Sequence, residues 1–232
     1  MGQESAWKQA SPVIPGRVLL EAIYRQLFDR YGPQHWWPAQ TPFEVMVGAV
    51  LTQNTAWTNV ERAIENLRRA DLLDPAAISA VKQPALAEYL RPAGYFNVKA
   101  KRLQALSRFL LNRPGLEQLE TAELRQQLLS IHGIGPETAD DILLYAFRRP
   151  VFVIDAYTRR LFGRLGVMDE MASYEVLSRG FESALRPDAQ LFNEYHALIV
   201  VHAKHICRSK PSCETCCLRQ RCEYGGKRYS DG

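Results

Sequence analysis

No stretch of the 232-residue sequence approaches the roughly 20 apolar residues that a helix needs to cross a bilayer. That excludes a membrane-spanning helix. The opening, MGQESAWKQASPVIPG, has no basic segment leading into an apolar one and does not read as a secretion signal. Alternating polar and apolar residues are almost absent. The one strand-like run, Val151–Ile154, is too short and too isolated to build a sheet. Neither sign of charge dominates: 29 Lys and Arg stand against 25 Asp and Glu, a net +4 that permits a nucleic-acid partner without demanding one. Cysteine is scarce and confined, with all five between Cys207 and Cys222. A disulfide framework would spread them out, so a metal site in a reducing compartment, the cytoplasm, is the better reading.

What is present is a folded chain, with 47% apolar and 23% charged residues and length for one large or two small domains. Apolar residues recur at helical spacing almost throughout. Leu19, Ile23 and Leu27 fall on one face after Pro15. Thr41-Pro42-Phe43-Glu44 reads as a capping box, opening a helix from Phe43 to Leu51 that is apolar nearly all round and therefore central. Thr55 can cap the next helix, with Val60, Ile64 and Leu67 inward, and Asp74-Pro75 starts another. Asn97 to Leu111 turns Leu103, Leu106 and Leu110 inward and leaves Lys99, Lys101, Arg102 and Arg108 outside. Helical spacing continues through Leu124, Leu128 and Ile131, then Ala139, Ile142 and Leu143, and again after Asp155 as far as Ile199. The expected fold is all-α, cut near Arg149-Pro150 with a second discontinuity near His35.

Chemistry concentrates between Leu128 and Arg160. A helix ends at Ser130-Ile131, a turn follows at His132-Gly133-Ile134-Gly135, and Pro136 suits the first position of a second helix. The two glycines permit positive φ on either side of Ile134 and close approach of a partner surface. The amides of the new helix start, at the positive end of its dipole, suit a phosphate. Alone, the pattern reads first as a plain αα-hairpin turn. Asp155, just before another helix, is by itself a good N-cap. His35-Trp36-Trp37-Pro38 sets two indoles in a loop, and Trp57 stands at the start of a helix; these complete a core or clamp a flat ring. Cys207-x5-Cys213-x2-Cys216-x5-Cys222 is a compact set of four thiols suited to tetrahedral ligation of a metal, zinc among the candidates. His196 and His202 share no metal-ligand pattern and receive no role.

HGIGPETAD, then VFVIDAYTRR, then the four cysteines together resemble the helix-hairpin-helix DNA glycosylases of the endonuclease III superfamily, over roughly Trp36 to Cys222. The resemblance implies a six-helix barrel over residues 36–149, with 1–35 and 150–232 forming a second helical domain that carries an iron-sulfur loop. It implies double-stranded DNA as partner, gripped by His132, Gly133, Ile134 and Gly135, and a monomer working at the nucleoid. Asp155 then takes the catalytic position, where a fixed anion stabilises the positive charge that builds on the sugar as the N-glycosidic bond breaks. Bifunctional members carry a lysine nucleophile two residues after the second hairpin glycine. Here that residue is Glu137, which cannot form a Schiff base, so a glycosylase without lyase activity is expected. The cysteine spacing is one residue shorter than usual in the first gap of the family's cluster loop.

WWP, AVLTQNTAW and RPAGYFNVKAKRL are most similar to the 3-methyladenine glycosylases of that superfamily. By that resemblance Trp37, Pro38 and Trp57, with Trp36 beside them, form the pocket for a base rotated out of the duplex. Two base–aromatic stacks of about 1–3 kcal/mol each are comparable with the cost of extrusion. Gln53 and Tyr95 stand where the superfamily fills the gap left by that base, and Lys99 is expected on a phosphate. An alkylated purine, already a good leaving group, is the expected substrate in base-excision repair. The alternatives are removal of mismatched adenine, or of uracil or thymine, or a non-catalytic DNA-binding iron-sulfur protein.

Overall fold

The 3.6-residue spacing of apolar side chains resolves into helix after helix. The structure, a computed structural model, describes residues 14–227, so most of the opening segment considered as a possible secretion signal lies outside the described residues. In chain order the α-helices are α1 (Arg17–Tyr31), α2 (Pro42–Leu51), α3 (Trp57–Arg69), α4 (Pro75–Ala80), α5 (Gln83–Tyr89) and α6 (Phe96–Leu111). They continue with α7 (Thr121–Leu129), α8 (Pro136–Asp141), α9 (Ala156–Leu165), α10 (Tyr174–Ala184), α11 (Ala189–His205) and α12 (Glu223–Lys227). A π-helical turn, Ile142–Ala146, prolongs α8. There is no strand among the described residues, and the fold is all-α.

The chain divides into two compact units. One is His35–Val153 with Asp188–Asn193; the other comprises, among the described residues, 14–34, Ile154–Pro187 and 194–227. The boundary after Val153 lies beyond the expected cut at Arg149-Pro150. The reason is burial: Val151, Phe152 and Val153 are all core residues, and Phe152 meets Phe192 edge-on at 5.3 Å inside the first unit.

In that unit α2 is the spine, buried at every residue from Phe43 to Leu51. Thr41 caps it by accepting from the Glu44 amide at 3.1 Å. The reciprocal half of the box is displaced by one residue, because Glu44 accepts from the Gln40 amide (3.1 Å) and pairs with Arg68 of α3. A carboxylate this deeply buried needs such a partner. Asp74 caps α4 as expected, accepting from Ala76 and Ala77 at 2.8 and 3.0 Å. Thr55 does not cap α3. Its amide bonds back to Thr52 O in the turn that closes α2, and Ala56 holds the cap position.

Lys99 also departs from expectation. It is 1% exposed, and its ammonium donates to Leu51 O at 2.9 Å and Ala93 O at 2.8 Å. A group so enclosed cannot contact a phosphate. One helical turn carries the side chain under the C-terminal end of α2, where an unpaired carbonyl is available. Lys101 and Arg108 do face outward.

The second unit builds its core from Leu20, Ile23 and Leu27 of α1, with Leu161, Phe162 and Leu165 of α9, Leu177 and Phe181 of α10, and Tyr195, Leu198 and Ile199 of α11. Leu20 takes the central place expected for Leu19. Phe162 meets Phe181 edge-to-face at 5.0 Å, and the buried Tyr195 hydroxyl donates to Leu20 O at 2.8 Å.

Burial pushes the Lys99 pKa down to about 8, below its ordinary 10.5. A lysine whose folded pKa is depressed lowers stability while it must be protonated, and that penalty fades as pH rises from about 8 to 10.5. The stability of the wild type relative to Lys99→Met should therefore rise by roughly 2–3 kcal/mol across that window, at ~1.4 kcal/mol per unit. Urea unfolding of both proteins at pH 7.5 to 10.5, roughly the span of the titration, checks this; a flat difference would contradict it.

Candidate active site

Between α7 and α8 the chain turns through residues 130–135. Gly133 has φ +87°, and a Cβ there would stand 2.5 Å from Arg102 Cγ. Gly135 is different. It caps α8 in extended conformation (φ −92°, ψ 178°), and nothing lies within 4 Å of where its Cβ would be. Positive φ thus occurs on one side of Ile134 only, because the other side is already the N-cap, which takes β-region geometry. Ile134 is 5% exposed and anchors the turn, so the segment presents His132, Gly135 and backbone outward.

Gln53, expected to reach into DNA, instead braces this turn. Its Nε2 donates to Gly133 O (3.1 Å) and Thr138 Oγ1 (2.8 Å), while Arg102 Nη1 donates to its Oε1. A carboxamide with both ends engaged is a structural tie. Tyr95 is the opposite case: the N-cap of α6, in left-handed conformation (φ 44°, ψ 31°), with 70% of its surface exposed. A large aromatic held outward in that conformation has no packing explanation.

The three indoles gather, but not as a sandwich. Trp37 and Trp57 meet edge-to-face, with centroids 5.2 Å apart and planes at 84°. Trp36 lies 5.8 Å from Trp57 and 6.0 Å from Trp37, and Tyr145 adds a fourth ring 5.0 Å from Trp37. Rings in contact leave no gap between Trp37 and Trp57 for a base, which corrects the expected clamp. The arrangement follows from aromatic quadrupoles, which favour tilted and edge contacts. It also depends on Gly48, where a Cβ would stand 2.9 Å from Trp37 Cζ2. Pro38 is exposed beside this half-buried cluster.

In the other unit Asp155 is the N-cap of α9. Its Oδ1 accepts from the Thr158 amide at 2.7 Å, and its Oδ2 lies 3.5 Å from His196 Nε2. The side chain is 14% exposed. Burial pushes its pKa up, but His196 and the Thr158 amide together outweigh burial and hold it below the ordinary carboxylate value. The carboxylate therefore stays ionised at neutral pH. Nothing local in the sequence signals His196 as its neighbour, because the two belong to different helices, α9 and α11, with no shared spacing.

No cysteine is in a disulfide; Cys207 and Cys213 are buried and Cys216, Cys217 and Cys222 half-buried. Among the described residues no three His, Cys, Asp or Glu side chains are drawn into ligating geometry. The four thiols nonetheless sense one another. Burial pushes Cys216 up to about 12, with Cys217, Cys207 and Cys222 adding to the shift. Burial likewise raises Cys222, with Cys207 and Cys213 adding. Cys216 and Cys222 therefore keep their protons unless a cation replaces them. Donors are aimed at the sulfurs: Arg164 Nη1 at Cys207 Sγ (3.4 Å), the Gly225 amide at Cys222 Sγ (3.4 Å), and His202 Nε2 3.5 Å from Cys216 Sγ. Four soft donors with such support fit a thiolate-held metal group. His202, which the sequence did not mark, is held at Nδ1 by the Tyr31 hydroxyl at 2.8 Å. Arg160 and Arg164 donate to the carbonyls of Ala203, Cys207, Arg208 and Ser209, fastening the loop to α9.

Residues 47–187 match the HhH-GPD superfamily of base excision DNA repair proteins. The chain belongs to this superfamily. Over 210 residues this HhH-GPD protein is 50% identical to a putative DNA repair glycosylase of Methanocaldococcus jannaschii, covering 88% of its own length and 96% of the relative's. It is also similar to the crystal structure of an H. pylori 3-methyladenine DNA glycosylase bound to 1,N6-ethenoadenine, at 34% identity and TM-score 0.69, covering 81% and 96% of the two chains. A non-covalent endonuclease III–DNA complex shares the fold, with TM-score 0.80 at 20% identity over 94% and 100% of the chains. The protein is thus a base-excision repair DNA glycosylase of the HhH-GPD superfamily with an all-α fold.

The two hairpin glycines should separate in a thermal melt. Gly133→Ala forces a side chain into positive φ and against Arg102 and should cost about 1 kcal/mol or more. Gly135→Ala enters open space at an extended residue and should stay within about 0.5 kcal/mol of wild type. Equal melting temperatures for the two variants would refute this reading of the turn.

Proposed function

We propose that this glycosylase hydrolyses the N-glycosidic bond of alkylated purines and has no lyase activity. The observation that carries the reading is Asp155, a largely buried carboxylate kept ionised by a helix N-terminus and an imidazole. Such an anion stabilises the cation that forms at the sugar when the C1′–N bond breaks and its electron pair leaves with the base. It also orients the water whose oxygen then bonds to C1′. An alkylated purine departs readily, so selection by aromatic surface suffices. The cluster of Trp36, Trp37 and Trp57 with Pro38 supplies that surface, by its faces and edges rather than by a slot between Trp37 and Trp57.

Two lysine observations support hydrolysis without strand cleavage. Glu137 occupies the position of the nucleophile in bifunctional relatives. Lys99, despite its lowered pKa, is enclosed and bonded to two carbonyls. On the DNA side, Gly135 and His132 with the amides of α8 take a phosphate, and Tyr95 fills the gap left by the extruded base. Cys207, Cys213, Cys216 and Cys222 hold a [4Fe-4S] cluster, with zinc as the alternative. Bound there, the group cross-links a loop of little apolar content. The protein acts as a monomer, and its free thiols suit the reducing cytoplasm and its nucleoid.

Asp155→Asn should bind a methylated duplex as wild type does and lose base release by roughly 10²-fold or more. Wild type should release methylated purines from a lesion panel ahead of uracil, thymine or mismatched adenine, and borohydride should trap no covalent DNA adduct. Full base release by Asp155→Asn would remove this residue from the chemistry, and preferential release of a pyrimidine would overturn the substrate class.

A further inference from the structure

We infer that His196 is the positioning residue for Asp155, the side chain that keeps its free oxygen aimed and charged for base release. The inference deepens the proposed function and rests on the role given there to Asp155. It begins with the two oxygens of that carboxylate. Oδ1 is fixed by the Thr158 amide, the ordinary N-cap bond. Oδ2 has no backbone donor and faces His196 Nε2 at 3.5 Å. That distance is longer than the 2.7–3.2 Å of an N–H···O hydrogen bond. It lies within the reach of an electrostatic contact, and in a poorly solvated place such a contact counts for more than it would in water.

Burial alone would favour the neutral acid, which cannot stabilise a sugar cation. The Thr158 amide and side chain oppose burial and His196 opposes it more strongly, while the charged groups along α9 and α11 have partners of their own. On α9, Arg159 donates to Glu170 O and Ala172 O, and Arg160 to Ala203 O and Cys207 O, while Tyr157 stacks against Arg160. On α11, Glu194 accepts from the Gln34 amide, the Tyr195 hydroxyl donates to Leu20 O, and Lys204 lies over the Tyr157 ring. From α1, Tyr31 is bonded to His202. Among the described residues His196 is the one ionisable side chain acting on the Asp155 charge, and the direction of the Asp155 titration agrees. His196 is itself 7% exposed, so its ring is held by its surroundings and cannot swing away into solvent.

The test is the pH profile of single-turnover base release from a methylated duplex, comparing wild type, His196→Ala and His196→Gln, with Asp155→Asn alongside. Removing His196 leaves burial less opposed, so the carboxyl titrates at higher pH and the acid limb moves up. On that limb His196→Ala should be about tenfold slower than wild type, a one-unit displacement, and the deficit should narrow but not vanish at the alkaline end, where the carboxyl is ionised in both and the loss of aim alone remains. His196→Gln keeps an N–H donor in place of the imidazole and should fall between them. A packing role would lower the melting temperature of both variants and leave the limb where it is. Unmoved limbs with Asp155→Asn inactive overturn this inference alone; an active Asp155→Asn overturns the reading beneath it. Should His196→Ala fail to fold, His196→Gln and carbon-13 titration of the Asp155 carboxyl in folded protein decide the matter. A carboxyl titrating identically in wild type and His196→Gln overturns the inference.

Discussion

A single hydrogen bond, from the Thr158 amide to the Asp155 carboxylate, does two jobs on which the rest of this molecule depends. It ends the extended run from Val151 and begins α9, so the local fold requires an acceptor at this position. It also helps keep that acceptor ionised where water is scarce. An ordinary surface cap would need only the first. The structural and chemical requirements converge on one residue, which is why Asp155 reads equally well as cap and as catalyst until its surroundings are known. The same helix carries Arg160 and Arg164, whose guanidinium groups hold the carbonyls of the cysteine loop. The element that begins with the acid therefore also anchors the part of the chain least able to fold on apolar contacts.

The hairpin shows a comparable economy. Gly133 lets the backbone turn close to Arg102, and Arg102 reaches Gln53, which returns to the Gly133 carbonyl. The end of α2, the start of α6 and the turn are thus one hydrogen-bonded unit. Rigid support from within leaves Gly135 free of contacts on its outer side, as a surface made for close approach should be.

Periodicity made most of the fold legible. The all-α class, the buried α2, the Asp74 cap and the inward faces of α6 and α7 follow from spacing alone. Failures arose where a long side chain chose between water and an unpaired carbonyl. Helical position placed Lys99 outside, yet four methylenes carry its ammonium to the C-terminal end of α2. Gln53 was misjudged for the same reason, since a flexible amide satisfies whichever donors and acceptors the tertiary fold brings near. The indoles were located correctly, but their relative tilt depends on Gly48 and Tyr145, which lie far off in sequence. His196 and His202 could not be recognised at all. His196 faces Asp155, and His202 lies between Tyr31 of α1 and Cys216 of the cysteine loop; none of these pairings has a local spacing.

Three of the four tryptophans in the chain stand within 6.0 Å of one another, centroid to centroid. Indoles this close exchange excitation energy and couple their transitions, so the near-ultraviolet optical spectrum of the protein is chiefly a portrait of one spot. On the proposed reading a nucleobase seated there would quench that emission directly, a reporter of occupancy that needs no label.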